Sequence, residues 1–317
     1  MGRFFALAAL GQLGFASKAI FIKLAYAASP TLTATDLLAL RMLFSLPFFL
    51  LMWWWSARGK IQTAITAQDR VMLVWLGFVG YYLGSLFDFI GLQYISAALE
   101  RVILFTNPSL VVIFSFLWWR QGISRRMLLA LVLSYSGIVL AYWHELHTQT
   151  QAQVASQGLS EVTTGVLWVF ASAIVYALYL MGGERTTRRL GSTRFTAYMM
   201  LVSTVFVLVQ FASTRPLAAL QQSGQVYILV MGMALFATVM PVWMMAEALK
   251  QLGANHTAMV GSLGPVLTIG LGVVFLNETI SMVQILGIAT TVLGVYLVTG
   301  EGKRQKSMGS IGNKKGA

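Results

Sequence analysis

The amino-acid sequence predicts an all-α integral membrane protein whose ten transmembrane helices form two inverted five-helix repeats. Three observations lead there. First, 57% of the 317 residues are hydrophobic and only 10% are charged, with a mean hydropathy of +0.74, which leaves too few polar residues to cover a water-soluble globule. Second, apolar runs long enough to cross about 30 Å of hydrocarbon recur along the chain, and they are continuous, not alternating, which excludes a β-barrel. Third, residues 91–124 return, much altered, as residues 248–281. Placing Pro108 on Pro265 gives an offset of 157 residues that, without a gap, also pairs Leu92 with Leu249, Ala97 with Ala254, Leu110 with Leu267 and Ser124 with Ser281. The same offset joins Leu129 to Leu286, Gly137 to Gly294 and Leu140 to Leu297, so the register spans two hydrophobic segments.

The helices are expected at 4–26, 34–55, 71–92, 97–119, 127–143, 164–181, 195–212, 226–249, 257–276 and 282–299. The first has the small-x-small look of a signal cleavage site at Ala25-Tyr26-Ala27. It is kept as a helix because Lys18 and Lys23 interrupt its core and it exceeds the roughly 7–15 residues of a signal core. Between the second and third helices lies a basic, polar stretch, and the Trp53-Trp54-Trp55 cluster before it suits an interfacial aromatic belt. Residues 144–163, rich in Gln, Ser and Thr, form the longest loop. They divide the chain into a first repeat at 1–143, a linker on the periplasmic side at 144–163, a second repeat at 164–299 and a basic cytoplasmic tail at 300–317. Five helices are an odd number, so the second repeat must enter the membrane in the opposite sense to the first. Inverted repeats of this kind are a signature of transporters.

The net charge of +12 is explained by topology and not by nucleic acid. With a cytoplasmic N-terminus, 17 of the 22 Lys and Arg residues fall in inside segments, Arg215 alone falls outside, and the 144–163 loop has none. Both termini are therefore expected in the cytoplasm, in a bacterial inner membrane. The chain has no cysteine, which removes disulfides and thiolate metal sites. His144, Glu145 and His147 are too few and too loosely placed to argue for zinc, so no metal and no cofactor are expected.

Several motifs resemble the drug/metabolite transporter superfamily, in particular its ten-helix EamA-type permeases. They are Ile22-Lys23-Leu24, Leu40-Arg41-Met42, the stretch from Gly91 to Ala97 (GLQYISA), Pro108 and Pro265 within their helices, and the stretch from Phe275 to Ser281 (FLNETIS). The first repeat departs from the pattern at Trp119-Arg120-Gln121-Gly122, where an acidic residue is usual, and at Phe15, where a Trp is common. The resemblance covers nearly the whole chain. It implies a transporter of a small-molecule solute, with the bilayer as its other partner, and names no cargo.

An ionisable side chain in hydrocarbon must be paired, hydrated or functional. Lys18, Lys23, Arg41, Asp88, Glu100 and Arg101 lie at roughly one depth, all in the first repeat. Lys23 and Arg101 can snorkel outward. Lys18, Arg41, Asp88 and Glu100 are expected to form a network facing a cavity, open to a coupling proton and, with four cations against two acids in the group, to an anionic or carboxylate-bearing solute. Ser17, Tyr81, Tyr82, Ser85, Asn107, Trp243 and Ser262 are expected to complete the binding site. Pro108 and Pro265 each free a backbone carbonyl, which is tolerable only beside protein or water, so they, with Arg101, Glu247 and His256, are assigned to gating. The glycines Gly77, Gly80, Gly84 and Gly261 suit close helix packing. No phosphate-binding loop is present, and no nucleophile-base pairing suggests an enzyme. The expected reading is a monomeric or weakly dimeric secondary transporter that exports a small polar or amphipathic, amino-acid-like metabolite by alternating access, with a membrane enzyme or receptor using the intramembrane Asp, Glu and His residues as the alternative.

Overall fold

The computed structural model describes residues 2–58, 64–119, 125–152, 160–245, 263–278, 280–294 and 296–297. Among them there are helices and no strands. The helices are α1 (Gly2–Ala28), α2 (Ala34–Ala57), α3 (Ala67–Gly91), α4 (Ala97–Trp118), α5 (Arg125–Ala152), α6 (Ser160–Leu190), α7 (Ser192–Thr214), α8 (Gly224–Met245), α9 (Gly264–Leu276) and α10 (Met282–Gly294). Seven are long and apolar enough to cross a membrane, and α9, α10 and the apolar part of α5 (Leu128–His144) are shorter. Their outward surfaces stay apolar, as at Leu51, Leu117, Val132, Val209 and Val274, all more than half exposed to a medium that in the cell is lipid.

Local sequence fixes where each helix starts. Thr33 and Thr66 cap α2 and α3 with full capping boxes, their hydroxyls accepting from the backbone of Asp36 and Asp69 while those carboxylates accept from the cap backbone. Ser96 and Ser223 cap α4 and α8. Two expectations about loops are corrected. Residues 144–163 are helical up to Ala152 and again from Ser160, because 144–152 holds no Gly or Pro to stop the helix. The loop expected at 182–194 is also helical, interrupted only at Gly191, whose φ of 81° is a conformation that glycine adopts without cost.

The 157-residue offset holds through the whole fold. It carries the first residues of α3 and α5, Ala67 and Arg125, onto the first residues of α8 and α10, Gly224 and Met282. The last residue of α2, Ala57, falls on the last of α7, Thr214. Irregularities are duplicated too. α3 widens into a π-helical turn at Gly77–Leu83, and α8 does so at Leu235–Val239. α4 breaks after Leu104 and restarts at Asn107, one residue before Pro108, while α9 starts at Gly264, one residue before Pro265. At these two helix starts Leu110 donates to the Thr106 carbonyl at 3.0 Å and Leu267 donates to the Leu263 carbonyl at 2.9 Å, which is one hydrogen bond made twice.

Packing shows how the repeats are related. α2 lies against α7, α3 against α6, and α1 against both α8 and α9, while α6 also meets α4. In the α5–α10 contact a Cβ on Gly137 would collide with Thr291 and the Gly287 carbonyl, and one on Gly294 would collide with Ser134 and the Ala130 carbonyl. These are the same contacts exchanged by the offset. Going up α5 runs down α10, so the pair is antiparallel, and Thr291 Oγ1 donates to the carbonyl of its own counterpart Ser134 at 3.3 Å. A two-fold axis passing between helices that point opposite ways is what two inverted repeats require.

Candidate functional site

A cavity of about 320 Å³ lies on this axis. Its wall contains counterpart residues from both repeats: Gly80 and Ala237, Tyr81 and Thr238, Asn107 and Gly264. The first two pairs belong to the π turns of α3 and α8, and the third begins the helical segments Asn107–Trp119 and Gly264–Leu276. The non-α backbone of both repeats therefore faces one space. Pro108 removes the N–H that Leu104 O would have received, and Leu104 lines the cavity, where the carbonyl need not face hydrocarbon. The break is further covered by Thr106, whose Oγ1 donates to the Ile103 carbonyl at 2.6 Å.

The scaffold is symmetric but its charge is not. Lys18, Arg41, Asp88, Glu100 and Arg101 correspond through the offset to Val175, Tyr198, Met245, Thr257 and Ala258. From α1, the Lys18 ammonium reaches Asp88 Oδ2 on α3 at 2.6 Å and Glu100 Oε1 on α4 at 3.8 Å. Glu100 is fully buried in the first turn of α4, where the helix dipole favours a negative charge. Its other oxygen lies 3.9 Å from Arg101 Nε, and neither carboxylate oxygen has a hydrogen-bond partner. From α2, Arg41 donates to Ser85 Oγ at 3.0 Å and rests over the Phe89 ring with 4.8 Å to its centroid.

Lys18, Arg41, Tyr81, Ser85, Asn107, Arg101 and Pro265 line the cavity, with Asp88 and Glu100 directly behind Lys18. Arg101 corrects the expectation that it snorkels outward: it turns in and donates to the Phe15 carbonyl at 3.0 Å, because the first turn of α4 is tucked against α1. Ser17 does not line the cavity; its hydroxyl donates to the Gly14 carbonyl at 2.7 Å and it faces an apolar groove between α1, α8 and α9. Tyr82 stacks on Phe206 of α7 and Phe78, outside the cavity. Trp243 is 55% exposed and is likewise absent from the lining, as is Pro108. Ser262, Glu247, His256 and Gly261 lie outside the described residues. Of the packing glycines, Gly77 and Gly80 leave no room for a Cβ against Val202 and Tyr179, whereas Gly84 meets only ordinary contacts.

Sequence reasoning missed Phe15, Ser172 and Tyr176 in the lining. A signal was present for Tyr176, since Tyr176 and Tyr179 stand one turn apart in an otherwise apolar helix and join Tyr81 in an aromatic cluster. It also missed the clasps between the repeats at the end of the bundle that carries the charges. There Asp36 holds Arg215 through two bonds of 2.8 and 2.9 Å, Ser29 donates to Gln222 at 3.0 Å, and Glu278 accepts from the Ala97 backbone. The hydrogen bond and the charge of Asp36 raise the pKa of Arg215, which lies beyond the end of α7, above its ordinary value. At the opposite end Arg189 of α6 pairs with Asp69 of α3 at 2.8 Å.

Residues 3–143 and 163–300 match the EamA-like transporter family. The "Uncharacterized transporter YcbK" of Bacillus subtilis (strain 168) is 30% identical over 295 residues, covering 91% of this chain and 89% of that protein. The "Uncharacterized transporter YyaM" of the same organism is 23% identical over 241 residues, covering 76% of each. A solved structure described as "Crystal structure of protein" superposes with a TM-score of 0.62 at 17% identity, over 96% of this chain and 99% of that one, a likeness of fold alone. Ten helices in two inverted repeats, together with a family match over both, make this chain a member of the EamA-like transporter family.

Proposed function

We propose that this membrane transporter is a secondary exporter, moving a small polar or amphipathic solute of about amino-acid size across a bacterial inner membrane by alternating access. The observation that carries the reading is the polar cavity on the pseudo-two-fold axis, walled by the paired π turns and by the helix starts at Asn107 and Gly264. Such a site lets one repeat rock against the other about a fixed centre. A solute for export would enter the cavity from the cytoplasmic side. From Lys18 and Arg41 the cavity reaches Gln12, Met200 and Val242, toward the end of the bundle that the basic loops assign to the cytoplasm. Asp88 and Glu100 around one ammonium are the groups we assign to proton coupling. Reconstitution into liposomes with labelled amino acids, nucleosides, sugars, amines and organic acids tests this. Counterflow of one class supports it; no flux of any, with turnover of a lipid-linked substrate, would favour a membrane enzyme instead.

A further inference from the structure

We propose that the cavity selects solutes that carry a single carboxylate on a small apolar or aromatic body, and that Arg41 is the group that receives it. The proposal rests on the transport reading for what the cavity is for, and on the charges alone for what it binds.

Three cations and two acids meet at the charged end of the cavity. Lys18 is held by Asp88 at 2.6 Å. Arg101 is held by the Phe15 carbonyl at 3.0 Å and by the charge of Glu100. Arg41 lies in the field of the Asp88 charge but donates to no carboxylate: it has one hydroxyl, that of Ser85, and one ring face, that of Phe89, and its Nε has no acceptor. It is only 4% exposed, yet it lines the cavity. A guanidinium cannot escape burial by shedding its proton, and burying it without an anion is costly. Among the described residues, no acid of the second repeat lines the cavity, and Asp88 and Glu100 correspond through the offset to Met245 and Thr257.

The charge excess and the geometry narrow the anion. Three cations against two carboxylates leave a surplus of one, which one monoanion cancels. A carboxylate matches the planar fork of a guanidinium with two parallel bonds. The rest of the wall suits the body of such a solute, because Phe15, Tyr81 and Tyr176 offer ring faces within about 320 Å³. Away from the charges, the side-chain amide oxygen of Asn107, Oδ1, is buried without a partner and is free to accept one hydrogen bond from the solute.

The experiment uses pairs of probes that differ only in charge: benzoate and benzamide, phenylacetate and phenylacetamide, hexanoate and hexanamide. Binding to the purified full-length protein is measured by thermal shift and by competition among the probes. At least one carboxylate is expected to bind about tenfold or more tightly than its amide. That preference should weaken in Arg41→Lys, which keeps the charge but not the fork, and vanish in Arg41→Gln. Amides that match their carboxylates in the wild type, no shift with any pair, or an intact preference in Arg41→Gln would each overturn the proposal. The wild-type comparison needs no variant to fold. Carboxylate-selective binding without counterflow would leave the anchor standing and remove the transport reading; counterflow of neutral solutes without carboxylate preference would do the reverse.

Discussion

Glu278 Oε1 accepts the backbone N–H of Ala97 at 3.0 Å, so a carboxylate from the second repeat caps the first helical residue of α4 in the first repeat. The Ser96 hydroxyl accepts from Leu99 at 3.1 Å, and the two acceptors together satisfy donors that no intrahelical carbonyl reaches. The bond is aimed from a tight turn in which Asn277 takes the left-handed conformation at φ 53° and Glu278 N donates to the Gly272 carbonyl at 3.2 Å. It ties the two repeats together at the charged end.

Replacing Glu278 by Ala should therefore destabilise the protein by about 1–2 kcal/mol, the usual worth of a cap with a charge-assisted bond. Glu278→Gln, which keeps an acceptor oxygen, should cost less. Thermal melting in one detergent reads both, and equal melting of Glu278→Ala and wild type would remove the clasp from the account.

Lys18 and Asp88 are a buried pair, with side chains 22% and 2% exposed. Asp88→Asn leaves the part-exposed ammonium only the more distant Glu100 and should cost about 1–3 kcal/mol, below the range for a fully buried pair, whereas Lys18→Met with Asp88→Asn should regain most of the folded yield. If the pair serves transport, flux stays low in the double variant even as yield returns. Recovery of yield and flux together would reduce the pair to mutual neutralisation.

Glu100 should behave differently, because neither of its oxygens accepts a hydrogen bond. Glu100→Gln preserves shape and is expected to fold, but it removes a titratable group from beside Lys18 and Arg101. Flux measured from pH 5 to 9, a window of about two units either side of neutrality, should lose or move its pH dependence. A wild-type rate and profile would exclude Glu100 from coupling.

The α5–α10 contact offers a test of the symmetry itself. Gly137→Ala and Gly294→Ala introduce a methyl into the same crowded place from opposite sides. Each should cost about 1–3 kcal/mol by overpacking, and the two costs should be alike. A large loss from one and none from the other would mean that the two sides of the contact are not equivalent.

The absence of cysteine allows single cysteines to be placed without background. In intact cells an impermeant thiol reagent should label position 153 and spare position 188, with sparing of the termini and of positions 60, 125 and 250. Labelling at 188 would invert the proposed orientation.

The helices and the repeat were legible because bilayer thickness and an ungapped offset are properties of the chain itself. Which face a side chain takes was less so. Trp243 is expected in the cavity because an indole at the midplane offers an apolar face with a polar handle, but the π turn at Leu235–Val239 inserts an extra residue per turn, so the face that residues beyond it take is not that of a regular helix. Tyr81 and Tyr82 sit inside the other π turn, and one lines the cavity while its neighbour stacks on Phe206. Arg101, at a helix start, reads as a snorkelling cation until the contact with the Phe15 carbonyl is seen. No pattern within one segment encodes a contact with another.

The unequal charge that the two repeats bring to the cavity, among the described residues, bears on the energetics of a cycle in which the repeats exchange conformations. Were the halves identical, the two end states would be degenerate, each populated equally without a solute or a gradient. Lys18, Arg41, Asp88, Glu100 and Arg101, set against Val175, Tyr198, Met245, Thr257 and Ala258, lift that degeneracy. A difference of about 1.4 kcal/mol in solvating this one cluster between the end states would hold ten molecules resting on one side for each on the other. The same five residues would then set the direction in which the empty carrier waits.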